Sequence, residues 1–422
     1  MKVLVSAIAC NPYGSSESFV GWEAVCAIAT HSEVHVLTSS RYEKDIIDAA
    51  EKGLVPENLT FHYCGRHERW NPDRLMAKFQ SWLEYRTWFQ AARAEAARLH
   101  GSEKFDLAHH VTYATWRMGS PLAGLGIPWI WGPIGGGDAF PHRLMGILSP
   151  SALFFELTRN INSWISSKSR KIRNAVLDAA MILPNNPETE LLMRRLGCPG
   201  EKIRRVTQSF LSEEKIDDLG SSCKKTPAES GLMVLVAGGN LEGRKGVAIA
   251  LEALVLFKKR GIPFRYDYLG GGPERDHLID LAVKLGLADE VTFHESLSGS
   301  LYLNALKNAH VYLLPSLREG VPVTQMEAMA AGCVPIVANC GGGGPMASEG
   351  GMHPIKPQAL NAMAQTIDDE LARLWKDPAG WSELSRKSSS AITTTYSRAS
   401  YLKKIVGVYD ETKIKIGMEK QR

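Results

Sequence analysis

The strongest constraint on the fold of this chain is a repeated alternation between short apolar runs and longer stretches with helical spacing. Runs rich in β-branched residues predict buried strands, and the stretches between them have the apolar periodicity of helices. The N-terminal strand candidates are Lys2–Ala9, Glu33–Leu37, Leu59–Tyr63, Asp106–Val111, Trp129–Trp131 and Met181–Pro184. Because strands that alternate with helices pair in parallel, the pattern predicts an α/β fold with a parallel sheet.

The alternation pauses at the polar stretch Ser212–Ser230 and then starts again, which predicts a second unit of the same kind. The strand candidates beyond it are Leu232–Ala237, Phe264–Leu269, Val291–Phe293, Val311–Leu314 and Val334–Val337. A length of 422 residues suits two domains, since one domain usually takes about 100–200 residues. We therefore predict Rossmann-like domains over 1–211 and 231–395, and a terminal helix over 396–422 that crosses back to the first.

Composition and charge exclude several classes of protein. The 49 Lys and Arg residues against 45 Asp and Glu give a net charge of +4, which is far from the field of a nucleic-acid-binding protein. Seven scattered cysteines without metal-ligand spacing favour a reducing compartment, the cytoplasm, and predict no metal site. The longest uncharged stretch, Met118–Gly137, is broken by glycines and prolines, so no transmembrane helix is expected.

Two glutamates follow the strand candidate Val311–Leu314. Glu319 lies in the loop Pro315–Gly320, and Glu327 lies about two turns into the next helix. Ligands of open α/β sheets bind at the carboxyl ends of the strands, where a carboxylate can accept hydrogen bonds from sugar or ribose hydroxyls. The alternative is that both are ordinary carboxylates near a helix start, where the helix dipole favours them.

Glycine-rich loops follow other strands. Gly239 lies in the loop 238–246, where Arg244 and Lys245 could neutralise a diphosphate. Gly271 lies in a third such loop. In the N-terminal half, Gly14 begins a loop of small residues that is not GxGxxG, and no acidic residue completes a dinucleotide fingerprint. A nicotinamide-dependent enzyme is therefore disfavoured.

The segment from Pro315 to Gly332 resembles the donor-binding motif of glycosyltransferase family four, the group 1 glycosyltransferases. The resemblance implies a retaining enzyme of GT-B fold, with two Rossmann-like domains facing a central cleft and a nucleotide-diphosphate sugar as donor. It implies that Glu319, beside Gly320, contacts the donor sugar and that Glu327 contacts the ribose. Val321-Pro322 departs from the Phe-Gly that the family usually has, and Pro322 removes one backbone N–H donor from this loop.

The same resemblance extends to other residues. Lys245 matches the family lysine that grips the diphosphate, while Asn240 stands roughly where the family has an arginine, a loss for which Arg244 could compensate. The end of the strand Asp106–Val111 resembles an Asp-x-x-His element, which leaves His109 and His110 both eligible to face the reacting sugar. The donor contacts implied by resemblance also include Gly14, Gly239 and Gly271. On the acceptor side we expect Ser16, Glu17, Arg117, Gly135 and Gly136.

These expectations lead to a function. The chain is expected to move a hexosyl group from the nucleotide sugar to a glycan or lipid-linked acceptor in surface polysaccharide synthesis, with no cofactor other than the donor substrate. The apolar stretch 150–180, which ends in basic residues, could rest on anionic lipid at the inner face of the membrane or bury its apolar face in the core. Two alternatives stay open: a nucleotide-sugar epimerase of GT-B fold and a non-catalytic nucleotide-sugar-binding scaffold.

Overall fold

The structure, a computed structural model, describes residues 1–14, 17–65, 74–113, 115–220, 225–295, 297 and 299–420. In these residues the strands are β1 Lys2–Ala7, β2 Glu33–Ser39, β3 Leu59–Cys64, β4 Leu107–Thr112, β5 Trp129–Ile134, β6 Met181–Pro184, β7 Met233–Gly238, β8 Phe264–Leu269, β9 Val291–His294, β10 Val311–Leu314 and β11 Val334–Val337. The α-helices are α1 Glu17–Ala29, α2 Glu43–Glu51, α3 Arg74–Glu103, α4 Pro150–Ser167, α5 Arg170–Asp178, α6 Pro187–Arg195, α7 Glu213–Gly220, α8 Pro227–Ser230, α9 Val247–Lys259, α10 Arg275–Lys284, α11 Gly299–Asn308, α12 Val323–Ala330, α13 Gly343–Glu349, α14 Leu360–Lys376, α15 Pro378–Thr395 and α16 Arg398–Lys420. Every strand predicted from the apolar runs overlaps an observed strand. None of the helices, within the described residues, combines the length and hydropathy that crossing a bilayer requires.

The N-terminal strands form a parallel sheet in the order β3-β2-β1-β4-β5-β6. Both faces of this sheet are covered, and all residues of β4 and β5 are buried. The strand order reverses between β1 and β4, and ligands of open α/β sheets bind in the crevice at such a point. Functional side chains of the first unit are therefore expected in the loops that follow β1 and β4.

The C-terminal strands form a second parallel sheet in the order β11-β10-β7-β8-β9. All residues of β7 and β10 are buried, and α9 packs against α14 while α12 packs against α15. The order of this sheet reverses between β7 and β10. Two parallel sheets with helices between successive strands confirm the predicted α/β class.

By its contacts the chain groups into two compact units, each with its own hydrophobic core. The first contains 1–137, 163–209 and 402–422, and the second contains 138–162 and 210–401. The segment 138–162 had been placed in the first predicted domain, yet it groups with the second unit because Phe140 and Leu144 are buried in that unit's core.

The polar stretch Ser212–Ser230, which was expected to separate the domains, is part of the second unit. Its described residues include α7 and α8, and Ile216 and Leu219 of α7 lie in the core of that unit. Thr226 starts α8 with a capping box: its hydroxyl accepts from the N–H of Glu229, and the Glu229 carboxylate accepts from the N–H of Thr226. In the described part of this stretch the polar residues mostly belong to two short helices and a helix cap.

Candidate active site

The loops that follow β7 and β10 lie side by side in the second unit, at the point where the strand order reverses. After β7 the chain makes the 3-10 helix Gly243–Lys245 and turns into α9 at Gly246, which has a φ of +66°. A Cβ at Gly246 would lie 2.3 Å from the carbonyl oxygen of Pro315 in the loop after β10. Glycine is therefore required here by the left-handed φ and by the close approach of the second loop.

An ion-pair cluster joins the two loops. Lys245 Nζ lies 2.5 Å from Glu319 Oε2, and Arg244 Nη1 lies 3.2 Å from Glu319 Oε1. Arg244 also donates from Nε to Glu242 at 2.6 Å and from Nη1 to the carbonyl oxygen of Arg318 at 2.9 Å. Ser316 donates its hydroxyl to Glu319 at 3.3 Å. The structure thus brings together three predicted residues from two loops, Arg244 and Lys245 from the first and Glu319 from the second.

The charges of this cluster stabilise one another. Burial raises the pKa of the Glu319 carboxyl, but Lys245 and Arg244 outweigh that effect and hold the pKa below its usual value. At Glu242, Arg244 likewise overcomes the effect of burial and lowers the pKa. Burial lowers the pKa of Arg244, while Glu319 and Glu242 raise it to a value above that of a free guanidinium. Both carboxylates and the guanidinium are therefore ionised at neutral pH.

Glu327 lies on α12 with both carboxylate oxygens occupied. The hydroxyl of Tyr302 on α11 donates to Glu327 Oε2 at 2.5 Å, and Lys215 Nζ on α7 lies 3.5 Å from Oε1. Burial and the nearby Glu327 carboxylate both raise the pKa of Tyr302, so its hydroxyl keeps its proton. Neither Tyr302 nor Lys215 was expected from the sequence, because both belong to other helices and carry no motif.

A glycine-rich loop before α13 packs against the loop that contains Glu319. It was not among the predicted site residues. Gly341 has a φ of +60°, and a Cβ there would lie 1.7 Å from the carbonyl oxygen of Glu319. Gly342 donates its N–H to the carbonyl oxygen of Gly320 at 2.8 Å. The run of four glycines, 341–344, could have indicated this contact from the sequence, since such a run lets one backbone approach another closely.

The other predicted donor residues of this unit lie around the same loops. A Cβ at Gly239 would be 3.3 Å from Lys245 Nζ, and the Asn240 amide donates to Glu242 at 2.7 Å. The carbonyl oxygen of Gly271 accepts from the N–H of Leu241 at 2.8 Å. Asn240 is therefore engaged with a carboxylate neighbour of Arg244.

The two histidines of β4 are fully buried in the first unit. His109 has both ring nitrogens in hydrogen bonds, to the Tyr409 hydroxyl at 2.9 Å and to the carbonyl oxygen of Gly132 at 2.7 Å. His110 pairs through Nδ1 with the Ser6 hydroxyl at 2.9 Å, and within the described part of the chain its Nε2 has no hydrogen-bond partner. Burial lowers the pKa of His109 to about 4 and that of His110 to about 3, so both rings are neutral. The geometry supports a packing role for His109 and leaves a ring nitrogen available only on His110.

The predicted acceptor residues lie in the first unit, except that Ser16 falls outside the described residues. Arg117 donates to the carbonyl oxygen of Gly136 at 2.8 Å, and Gly135 pairs with Thr115 through an isolated bridge. Glu17 is the first residue of α1, and Gly14, which was predicted on the donor side, precedes that helix. The structure brings Arg117, Gly135 and Gly136 together, and the ligand roles of all these residues stay predictions.

A cavity in the first unit was not expected from the sequence. It lies beyond the carboxyl ends of β1 to β4 and is lined by Arg41, Tyr42, Tyr85, Trp88 and Tyr113, among others. Among the residues that the structure describes, the buried Tyr85 hydroxyl and the buried Trp88 indole nitrogen have no hydrogen-bond partner. A buried polar atom without a partner is destabilising, so two such atoms in residues that line one cavity make this cavity a candidate ligand site. The residues come from five chain segments, which explains why no motif revealed them.

Known proteins resemble parts of this chain. Residues 222–388 match the family model described as glycosyl transferases group 1. An Escherichia coli K12 protein named as a colanic acid biosynthesis glycosyltransferase is 32% identical over 199 residues, which is 44% of this chain and 47% of the relative. The amylovoran biosynthesis glycosyltransferase of Erwinia amylovora is 30% identical over 165 residues, 38% of this chain and 39% of the relative. The chain thus spans less than half the length of these relatives.

Solved structures match nearly the whole chain at low identity. Anabaena HepE in complex with UDP has a TM-score of 0.59 at 15% identity, over 97% of this chain and 100% of that one. The lipopolysaccharide outer core galactosyltransferase WaaB in its apo form has a TM-score of 0.62 at 14% identity, over 97% and 99%. Identities this low establish the fold alone. The chain therefore has the GT-B fold, and its residues 222–388 are similar to the group 1 glycosyltransferases.

Proposed function

We propose that this protein is a retaining glycosyltransferase that moves a hexosyl group from a nucleotide-diphosphate sugar to a glycan or lipid-linked acceptor in surface polysaccharide synthesis. The observation that carries the proposal is the cluster of Lys245, Arg244 and Glu319 where the strand order reverses in the second sheet. The names of the relatives, which refer to colanic acid and amylovoran biosynthesis, support the polysaccharide class. The solved complexes of HepE with UDP and UDP-glucose support a nucleotide sugar as donor.

In the proposed reaction the cations act on the leaving group. The bond between the anomeric carbon and the diphosphate breaks, a bond from the acceptor oxygen forms on the same face, and the acceptor proton passes to the leaving phosphate oxygen. Lys245 and Arg244 stabilise the charge that develops on the diphosphate, an effect that is strong in a largely buried site. The ionised Glu319 accepts hydrogen bonds from donor-sugar hydroxyls.

Glu327 takes the ribose in this proposal. Two ribose hydroxyls can donate to one carboxylate, and the Tyr302 hydroxyl and Lys215 ammonium that now occupy Glu327 hold it in place until they are exchanged for the ligand. The acceptor, in turn, binds in the cavity of the first unit. Its aromatic walls offer stacking surfaces for sugar rings, and the Tyr85 and Trp88 polar atoms offer donors.

The proposal is tested by incubating the protein with UDP-, GDP- and ADP-sugars and polysaccharide precursors, then measuring free nucleotide and new glycoside. We expect transfer that is at least 100-fold slower in Lys245→Ala and Glu319→Gln. The matched control is Lys258→Ala, which removes the lysine of a more exposed pair with Glu290. An isomerised sugar without glycoside would identify an epimerase, and nucleotide-sugar binding without any turnover would identify a scaffold.

The acceptor cavity has its own test in Tyr85→Phe. If the hydroxyl binds the acceptor, this variant raises the KM for acceptor several-fold and leaves the affinity for nucleotide unchanged. If the hydroxyl binds nothing, the variant removes an unpaired buried group, stabilises the protein and leaves the KM as it was.

A further inference from the structure

Helix α4 has its polar face buried and its apolar face exposed, the reverse of an ordinary surface helix. Its one buried residue is Glu156, which is 2% exposed. Glu156 receives a two-pronged ion pair from Arg318, with Nη2 of the guanidinium 2.7 Å from Oε1 and Nε 3.0 Å from Oε2. One turn further along the same face, Arg159 donates to the carbonyl oxygen of Asp138 at 2.7 Å.

The outward face of α4 is mostly apolar, although Thr158 is also exposed on it. Phe154 is 71% exposed, Ile161 58% and Trp164 65%, and they recur at the seven- and three-residue spacings that place side chains on one face. Leu157 and Ile165 lie between them and are also exposed. Burying such a face is favourable, so it is a candidate for contact with another surface.

The exposed charges that precede and follow α4 in the chain, between Asp138 and Asp178, are of one sign. Between residues 139 and 177 the chain has a single acidic residue, Glu156, and that residue is buried. The basic residues of the same stretch that are exposed are Arg143, Lys168, Arg170, Lys171 and Arg173. An exposed apolar helix face with exposed basic residues nearby in the chain is complementary to a surface whose apolar layer lies beneath an anionic one.

We propose that α4 lies on an anionic lipid bilayer, with Phe154, Ile161 and Trp164 inserted at the boundary between headgroups and acyl chains. The exposed area of the apolar face is on the order of 500 Å², which is less than the roughly 800 Å² that each partner of a stable protein complex buries. Lipid therefore fits this face better than a second copy of the chain. Because Arg318 precedes Glu319, the bilayer-facing helix is also bound through Glu156 to the loop of the proposed donor site.

The experiment is sedimentation of the full-length protein with vesicles of phosphatidylcholine alone or with 30% phosphatidylglycerol. We expect at least ten-fold tighter binding to the anionic vesicles, and weaker binding in 0.5 M salt because the ions screen the basic residues. The triple variant Phe154→Ser, Ile161→Ser, Trp164→Ser should lose at least ten-fold in vesicle affinity. The double variant Val283→Ser, Leu301→Ser removes similarly exposed apolar side chains elsewhere and should bind like the wild type.

Three results would overturn the proposal. They are absence of vesicle binding by the wild type, equal binding by the triple variant, and a wild-type dimer that the triple variant converts to monomer without vesicle binding by either. The last result would mean that a second copy covers the helix. Thermal stabilisation by nucleotide, measured on the triple variant, shows that it is folded and separates this question from transfer activity.

Discussion

At the scale of single residues, Glu319 depends on its two cationic neighbours. Its side chain is 12% exposed, and that of Lys245 is 6% exposed. Removing a partner from a largely buried ion pair leaves an uncompensated charge, which costs far more than removing a partner from an exposed pair. The pair therefore has a stability role that is separable from any role in donor binding.

We predict that Lys245→Met lowers the free energy of unfolding by about 3 kcal/mol. Glu319→Gln combined with Lys245→Met should cost less than the sum of the two single changes, because each single change leaves a buried charge without its nearest partner and the double variant leaves neither charge. Urea unfolding of the four proteins measures this coupling. Lys258→Met, which breaks the more exposed pair with Glu290, should cost less than about 1 kcal/mol. Equal costs for the two lysines would contradict the buried pair.

A second residue-scale prediction concerns His109. Its folded-state pKa of about 4 lies below the unfolded value of about 6.5, so only the unfolded chain takes up a proton between these values. The contribution of His109 to stability is complete above pH 6.5 and falls as the pH drops toward 4. Between pH 7 and pH 5 this loss amounts to about 2 kcal/mol, which His109→Gln should remove.

The measurement is urea unfolding at pH 7 and pH 5 for wild type, His109→Gln and a control, His31→Gln, which replaces an exposed histidine. The control should lose as much stability on acidification as the wild type. If His109→Gln does so too, the ring is protonated in the folded protein and the hydrogen bonds to Tyr409 and Gly132 are not those of a neutral imidazole.

At the scale of elements, the glycine run before α13 determines where the Glu319 loop lies. Gly341 has a left-handed φ, and a Cβ added there would clash with the backbone of Glu319. Gly261, after α9, also has a left-handed φ, of +72°, but a Cβ added there would have no atom within 4 Å. The two positions have the same backbone strain for any other residue and differ only in the neighbour. Replacing each of the two glycines with alanine therefore separates the cost of the backbone strain from the cost of the clash with the neighbouring loop.

We predict that Gly261→Ala costs about 1–2 kcal/mol of stability, the strain of a left-handed alanine. Gly341→Ala should cost more, because its Cβ would displace the carbonyl oxygen of Glu319. The displaced loop should also weaken nucleotide binding at least ten-fold in a thermal-shift titration, whereas Gly261→Ala should leave that binding unchanged. Equal effects at both positions would show that the loop contact is unimportant.

At the scale of the whole molecule, the two units have separate hydrophobic cores. Leu4 is fully buried in the core of the first unit, and Leu254 is fully buried in that of the second. The ion-pair cluster of Arg244, Lys245 and Glu319 belongs to the second unit alone. A nucleotide that binds there should stabilise that unit, by about 2.7 kcal/mol at 100 times its Kd.

Calorimetry should therefore resolve two transitions. Leu4→Ala and Leu254→Ala should each lower a different one, since each creates a cavity that costs about 2–5 kcal/mol. Nucleotide should raise only the transition that Leu254→Ala lowers. A single transition affected by all three changes would show that the units unfold together.

The sequence predicted the strands well because each buried parallel strand is a local run of apolar residues. Motifs singled out Glu319, Lys245 and Glu327, but nothing in the sequence predicted that Lys245 pairs with Glu319 or that Tyr302 and Lys215 contact Glu327. Lys245 and Glu319 are 74 residues apart, and Glu156 and Arg318 are 162 residues apart. Such pairs are set by the order of strands in the sheet, and no local pattern reports that order. The polar stretch 212–230 was expected to separate the domains but belongs to the second unit. Composition alone does not distinguish the two cases, because helix caps and linkers are rich in the same polar residues.

The ion pair between Glu156 and Arg318 also limits how this protein can change over time. Neither charge can be lost alone without leaving its partner buried and unpaired. Substitution at one position should be tolerated only after substitution at the other, so related chains should keep both charges or replace both. Positions 156 and 318 should therefore covary, a statistical trace of a contact that links a surface helix to the loop next to Glu319.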